Sequence, residues 1–281
     1  MPNLLLATSD GFPDGEPGHQ LLDRALDAAG ISARWALWDD AHVDWGSALV
    51  AVRSTWDYDG RREEFLAWAG SLPQVLNGAE VFAWNTDKAY LVELAAAGVP
   101  VVPTLVGDGA EALSAALGQF PSAVVKPRVG AGGRGVTVHE AGRSLDRSVP
   151  WSGSWVVQPL VESIRTEGEA SVFVLGGEVV SAAQKRAVGE EIRVHEMYGG
   201  STVAVPVTAE GADLARRTVA AAEDLLGHAL DYARVDQMRL ADGTLVVSEL
   251  EATEPGLYLD ELPGNGEAFA AMVARRLDGP I

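Results

Sequence analysis

The sequence predicts an amino-terminal α/β domain on a parallel sheet, followed by two α+β lobes built from antiparallel hairpins. Three observations predict it. Strand-like and helix-like segments alternate through the first ~85 residues, the pattern of parallel βαβ units. Beyond residue 107 the strand-like segments are instead joined by glycine-rich turns, as hairpins are. Two helical patterns, at 209–226 and 267–277, supply cover for the later strands. The expected divisions are 1–86, 87–160 and 161–281.

The first strand is read over residues 3–8, and a Gly/Pro/acidic loop at 9–18 follows it. A helix over 19–29 is closed by Gly30. Strands at 31–37 and 48–54 come next, then a helix near 61–69 stopped by Gly70. Thr86 is expected to cap the following helix, with Asp87 in its first turn and Gly98 at its end. Residues 99–106 read as a strand broken by Pro100 and Pro103. No internal repeat or low-complexity segment is found.

Composition narrows the function classes. The chain of 281 residues is 47% hydrophobic, enough for one large core or two to three smaller ones. No apolar run approaches the ~18 residues that span a bilayer, and residues 3–8 lack a signal-peptide pattern, so no membrane partner and a cytoplasmic location are expected. Without cysteine there are no disulfides, thiolate metal sites or cysteine nucleophiles. A net charge of −19 repels phosphate backbones, so no nucleic-acid partner is expected. A small molecule needs only a local pocket and is the expected partner; a homodimer is left open.

The 21 basic residues comprise 18 arginines and only three lysines, Lys88, Lys126 and Lys185. Lysines kept in so arginine-rich a chain mark sites that need a compact point charge rather than a planar fork. Lys126 ends the segment Ala123-Val124-Val125-Lys126-Pro127-Arg128. The loop that follows carries Gly130, Gly132, Gly133 and Gly135, and then comes Val136-Thr137-Val138. Glycines let backbone N–H groups approach phosphate oxygens, and a lysine at the strand end adds charge. The order differs from a Walker A loop, where lysine follows the glycines and a helix comes next. A plain glycine hairpin is the alternative.

For the hairpin around Asp242-Gly243 the register can be computed. A two-residue turn pairs Ala241 with Thr244, which pairs Asp236 with Glu249 and Arg234 with Glu251. All four side chains then share one face, with opposed carboxylates roughly 5 Å apart, while Val235 and Leu250 face the core. Facing like charges need a compensating cation, and hard oxygen donors select magnesium or manganese. Asp236, Glu249 and Glu251 are therefore the candidate metal ligands, with a solvated acidic face as the alternative.

Trp155-Val156-Val157-Gln158-Pro159-Leu160 reads as a short strand ending at a proline, suited to an interlobe hinge. The next hairpin turns at Gly176-Gly177. Counting from that turn pairs Glu169 with Gln184 and Glu167 with Arg186, placing Arg186 on the Glu169 face and Lys185 on the other.

Taken in order, these pieces resemble the ATP-grasp superfamily, in particular its glutathione-synthetase-like carboxylate–amine ligases. The likeness rests on Asn85-Thr86-Asp87-Lys88, residues 94–104, Val125-Lys126-Pro127 with its glycine loop, Gln158-Pro159-Leu160 and Gly168-Glu169. It is completed by Arg193 before Gly199-Gly200 and by Ala233-Arg234-Val235-Asp236 with Glu249-Leu250-Glu251. The resemblance implies an ATP-grasp fold whose two α+β lobes enclose the nucleotide, with 1–86 on the substrate side, 87–160 as lid and 161–281 carrying the metal site. It implies ATP with magnesium or manganese as cofactors. Lys88, Lys126 and the loop bearing Gly130, Gly132, Gly133 and Gly135 would hold the phosphates. Gln158 and Leu160 would contact adenine, and Glu169 the ribose. Arg186 and Arg193, with Arg234 beside the metal acids, would be the catalytic cations. The implied reaction activates a carboxylate as an acyl phosphate, which an amine then displaces.

Two departures are visible. The family's usual Glu-x-Asn is Glu249-Leu250-Glu251 here, and its Pro-Gly follows after one extra residue, in Glu251-Ala-Thr-Glu254-Pro255-Gly256. With Val52-Arg53-Ser54-Thr55-Trp56 and Phe65-Leu66-Ala67-Trp68, this resembles the cycloserine-pathway branch, whose enzyme closes O-ureidoserine into a ring. Arg53, Trp56, Asp57 and Tyr58, at the end of a sheet strand, are candidate substrate contacts. A small-molecule kinase and a regulatory ATP-binding protein on the same fold are the other readings.

Overall fold

The computed structural model of the chain describes residues 3–140 and 153–279. Residues 141–152, within the expected lid lobe, lie outside that description.

The amino-terminal sheet is parallel as expected, in the order β2-β1-β3, from β1 (Leu4–Thr8), β2 (Ala33–Leu37) and β3 (Leu49–Ser54). Helix α1 (His19–Ala28) makes the crossover from β1 to β2. Both β1 and β3 are buried along their whole length, which fits their near-continuous apolar sequence. Helices α2 (Arg62–Ser71) and α3 (Ala79–Asn85) follow.

Thr86 ends α3 instead of starting the next helix. Its hydroxyl donates to the Phe82 carbonyl, a partner one turn back. Asp87 accepts from Ala89 N–H ahead of α4 (Tyr90–Ala96), and Gly98, at φ 86°, closes that helix. The two prolines hold residues 99–104 out of a regular strand, apart from a single bridge between Val101 and Val247.

The lid lobe is the antiparallel sheet β4-β7-β5-β6, formed by β4 (Leu105–Asp108), β5 (Ser122–Pro127), β6 (Thr137–Glu140) and β7 (Ser154–Pro159). Helix α5 (Gly109–Leu117) covers it, and Leu113, Ala123, Val125, Trp155 and Val157 form its own small core. That core begins after the boundary expected at residue 87, because Tyr90, Leu91, Leu94 and Val99 join the core shared by the amino-terminal domain and the last lobe.

A short helix α6 (Ser163–Thr166) leads into the five-stranded sheet β10-β9-β8-β11-β12. Its strands are β8 (Glu169–Leu175), β9 (Glu178–Arg186), β10 (Ser201–Val205), β11 (Tyr232–Arg239) and β12 (Leu245–Glu251). Helix α7 (Ala209–Leu226) packs on this sheet, and α8 (Gly264–Asp278) returns to lie against α1.

Two registers position the site. In β11–β12, Asp236 pairs with Glu249 and Arg234 with Glu251, as counted from the turn. Two departures cancel to give that result. The loop is one residue longer than a two-residue turn, since Leu240 N–H bonds to the Thr244 carbonyl around residues 241–243. A bulge between Asp236 and Gln237 then restores the count. In β8–β9 nothing cancels. A bulge between Phe173 and Val174 slides the pairing by one, so Glu169 faces Lys185 instead of Gln184.

Candidate active site

The lid sheet, the five-stranded sheet and the amino-terminal domain together line a cavity of about 610 Å³. Lys126 and Asp236, read from separate motifs, both face into it. So do Lys88, Gly130, Gly132, Gly133, Gln158, Leu160, Glu169, Arg193, Arg234, Glu249 and Glu251.

The cationic wall comes from the turn before α4 and from the end of β5. Lys88 Nζ bonds to Glu249 at 2.9 Å and to the Gly130 carbonyl at 2.8 Å. The Lys126 side chain makes no hydrogen bond or ion pair among the described residues, and its charge acts on Glu249 across the cavity lining. The glycine loop lines the cavity. Arg134 bonds to Asp59 at 2.8 Å and to the Trp56 carbonyl at 2.8 Å, pinning the loop to the amino-terminal domain. Gly132 and Gly133, at φ 59° and 70°, give the turn its left-handed backbone. Gly135 stands off the cavity, where a Cβ would lie 2.8 Å from Pro127 Cγ; its role is packing. At the hinge, the buried Gln158 amide donates to Thr104 Oγ1, and Leu160 N–H bonds to the Ser122 carbonyl.

The acidic wall is a charge network. Asp236 is 1% exposed, and four donors satisfy its carboxylate: Ser171 Oγ at 2.6 Å, Lys185 Nζ at 2.8 Å, and Arg234 Nε and Nη2 at 2.9 Å each. Burial opposes its charge, but Arg234 and Lys185 outweigh burial and hold its pKa well below the usual carboxylate range. Arg234 also bonds to Glu251. Burial likewise disfavours a charged Glu249, and Lys88 and Lys126 more than offset it, holding its pKa down.

The cations expected to come from a metal are thus partly supplied by the protein, and among the described residues no three acidic groups converge on one coordination point. Asp236 has both oxygens engaged and anchors Arg234 and Lys185. Glu249 and Glu251 each keep 28% side-chain exposure toward the cavity. Two such carboxylates fit magnesium, which is commonly held by one or two carboxylates plus substrate phosphates.

Other expectations need correction. Arg186 points away from the cavity and bonds to the Thr166 carbonyl, because the β8–β9 bulge reverses which of residues 185 and 186 faces inward. Lys185 takes the inner place, 2.5 Å from Glu169 and 2.8 Å from Asp236. Its status as one of three retained lysines was the signal that pointed to it. Glu169 lines the cavity and is held by Lys185 and by Ser248 Oγ at 2.7 Å. Arg53 is fully buried and does not reach the cavity; it pairs with Glu16 at 2.6 Å and donates to the Pro255 carbonyl at 2.7 Å. Asp57 borders the cavity but is bound to Arg61 and to Trp38 Nε1. Trp56 and Tyr58 line the cavity as expected. Arg193 reaches it with its guanidinium gripped by Glu191 at 2.6 Å and stacked 3.6 Å from the Tyr198 ring centre.

One consequence can be measured without a substrate. Burial pushes the Glu251 carboxyl up to about 7; Arg234 opposes this, and Asp236 and Glu249 add to it. The folded chain therefore holds this proton where the unfolded chain, at its ordinary 4.5, has lost it. Stability falls with rising pH wherever the folded state binds more protons, here between about 4.5 and 7. In metal-free buffer, Glu251→Gln should show a smaller Tm drop from pH 5 to pH 8 than the wild type. Equal drops would place the titration on another group.

Comparison with known proteins agrees with this geometry. Residues 4–77 match the family model described as "D-cycloserine synthetase DcsG, N-terminal domain", and residues 86–248 match the ATP-grasp domain. The cycloserine biosynthesis protein DcsG of Streptomyces lavendulae is 34% identical over 90% of this chain and 91% of its own length. A crystal structure of D-cycloserine synthetase DcsG superimposes with a TM-score of 0.87 at 30% identity, over 98% of this chain and 99% of that one. The ATP-grasp ligase PsnB, solved with minimal precursor, Mg and ADP, matches at TM-score 0.63 and 20% identity over 97% of this chain and 98% of its own, a likeness of fold alone.

Proposed function

This chain belongs to the ATP-grasp family, and from that premise we propose that it is the ring-closing ligase of a ureido amino acid of the O-ureidoserine type. As an ATP-dependent carbon–nitrogen ligase it couples bond formation to the release of ADP and phosphate. The observation that carries the reading is the single cavity in which Lys126 faces the Glu249–Glu251 wall while the amino-terminal domain closes the remaining side.

Lys126 and Lys88 would take the phosphates, with Lys88 exchanging its contact to the Gly130 carbonyl for a phosphate oxygen. The loop pinned by Arg134 would exclude water. The hinge at Gln158 and Leu160 would receive the base. Glu249 and Glu251 would hold magnesium, which neutralises phosphate charge when bound. The substrate carboxylate attacks the γ-phosphorus, ADP departs, and an acyl phosphate forms. A nitrogen then attacks the acyl carbon, and inorganic phosphate leaves with the bonding pair. Lys185, Arg193 and Arg234 stand around that space, so positioning and charge neutralisation do most of the work.

The test is ADP release with O-ureidoserine, with and without hydroxylamine. The reading expects substrate-dependent ADP and phosphate, and a hydroxamate when hydroxylamine intercepts the acyl phosphate. A stable phosphorylated product without free phosphate would make it a kinase. Nucleotide binding without turnover on any carboxylate would make it a regulator.

A further inference from the structure

Glu254 lies in the segment between Glu251 and the Pro-Gly pair, and its surroundings are unusual. It is 8% exposed, yet it lines the cavity. Among the described residues it has no ion-pair partner, and its side-chain hydrogen bond is to the Tyr58 hydroxyl. Lys88, the lysine that acts on it electrostatically, is already committed to Glu249. Buried carboxylates are seldom left without a cation. Burial, with Glu251 and Glu249 adding to it, pushes the Glu254 carboxyl up to about 8, so it holds its proton until a cation arrives, and with Lys88 committed that cation is the ligand's to bring.

The protein also fixes where this carboxylate sits. Trp56 Nε1 donates to the Glu254 carbonyl at 3.0 Å, and Phe12 packs edge-on to Trp56 at 4.7 Å. Arg53 holds the Pro255 carbonyl at 2.7 Å, and Glu16 Oε2 accepts from Leu257 N–H at 2.6 Å. Glu16, Arg53, Trp56 and Tyr58 all come from the amino-terminal domain. Arg53 acts on the cavity through this segment and touches no ligand itself.

We propose that Glu254, oriented by Tyr58 and the Trp56 and Arg53 anchors, receives the protonated amino group of the substrate. The inference rests on the ligase reading for where the substrate lies. It assigns the amino-terminal domain the task of selecting an amino acid with a free ammonium, with its carboxylate directed toward the phosphates. A carboxylic acid of the same shape without that charge should bind poorly, since it would leave Glu254 buried and unpaired.

The experiment titrates the full chain, loaded with magnesium and a non-hydrolysable ATP analogue, with O-ureidoserine and with its N-acetyl derivative. ADP release with ATP is measured in parallel. Wild type should bind the parent compound at least ~10-fold more tightly than the N-acetyl form, the discrimination a charged hydrogen bond provides. Glu254→Gln should lose that preference while keeping the wild-type affinity for the ATP analogue, which controls for folding. Tyr58→Phe should weaken the preference without abolishing it. Equal binding of both compounds by wild type, an unchanged preference in Glu254→Gln, or no binding of the parent compound would each overturn the assignment. Selective binding that depends on Glu254 but gives no ADP would instead overturn the ligase reading and keep the amine site.

Discussion

Replacing Asp236 by asparagine is expected to cost about 3–5 kcal/mol of folding stability, the penalty for uncompensated buried charge. Asp236 accepts from both Lys185 and Arg234 at 2.8 and 2.9 Å, and its exposure is 1%. Burial lowers the pKa of both cations, and Asp236 offsets it together with Glu169 at Lys185 and with Glu251 at Arg234, keeping each charged. An asparagine amide would point two N–H donors at groups that are themselves donors. Glu169 and Glu251 remain as partners, so partial compensation is built in. Denaturant unfolding is the measurement, and substrate-dependent ADP release should be lost as well. A stability change within ~1 kcal/mol would mean that Glu169 and Glu251 alone can neutralise the pair.

Glu249→Gln should behave in the opposite way, with stability held within about 1 kcal/mol and turnover down by roughly 10²–10³-fold. Its carboxylate is 28% exposed and meets Lys88 at 2.9 Å in a pair that solvent partly screens. Glutamine keeps the shape and an acceptor for the lysine while removing the charge that binds magnesium. Parallel kinetics and unfolding curves separate the two substitutions. Unchanged ADP release in Glu249→Gln would remove this residue from the metal site.

The contrast between these neighbouring acids, paired across one ladder, shows where sequence reading stops. Side-chain alternation along β11 and β12 is enough to put Arg234, Asp236, Glu249 and Glu251 on one face. It does not say which carboxylate is enclosed by cations and which is left open for a ligand. That depends on Lys185 and Ser171, which arrive from strands β9 and β8.

Read alone, the sequence determined the alternating α/β start, the antiparallel hairpins that follow, the lysine ahead of a glycine loop and the shared acidic face of the last hairpin. These are local properties, carried by periodicity, turn chemistry and the residues an arginine-rich chain still spends as lysine. The tertiary structure decided that Lys185 and not Arg186 faces the cavity, because one bulged residue reverses every side chain beyond it. It also decided that Arg53 is a buried anchor and that Glu254 lines the cavity with no ion-pair partner among the described residues. The contact from Arg53 to Pro255 joins residues 202 positions apart, and no local pattern encodes a pairing at that distance.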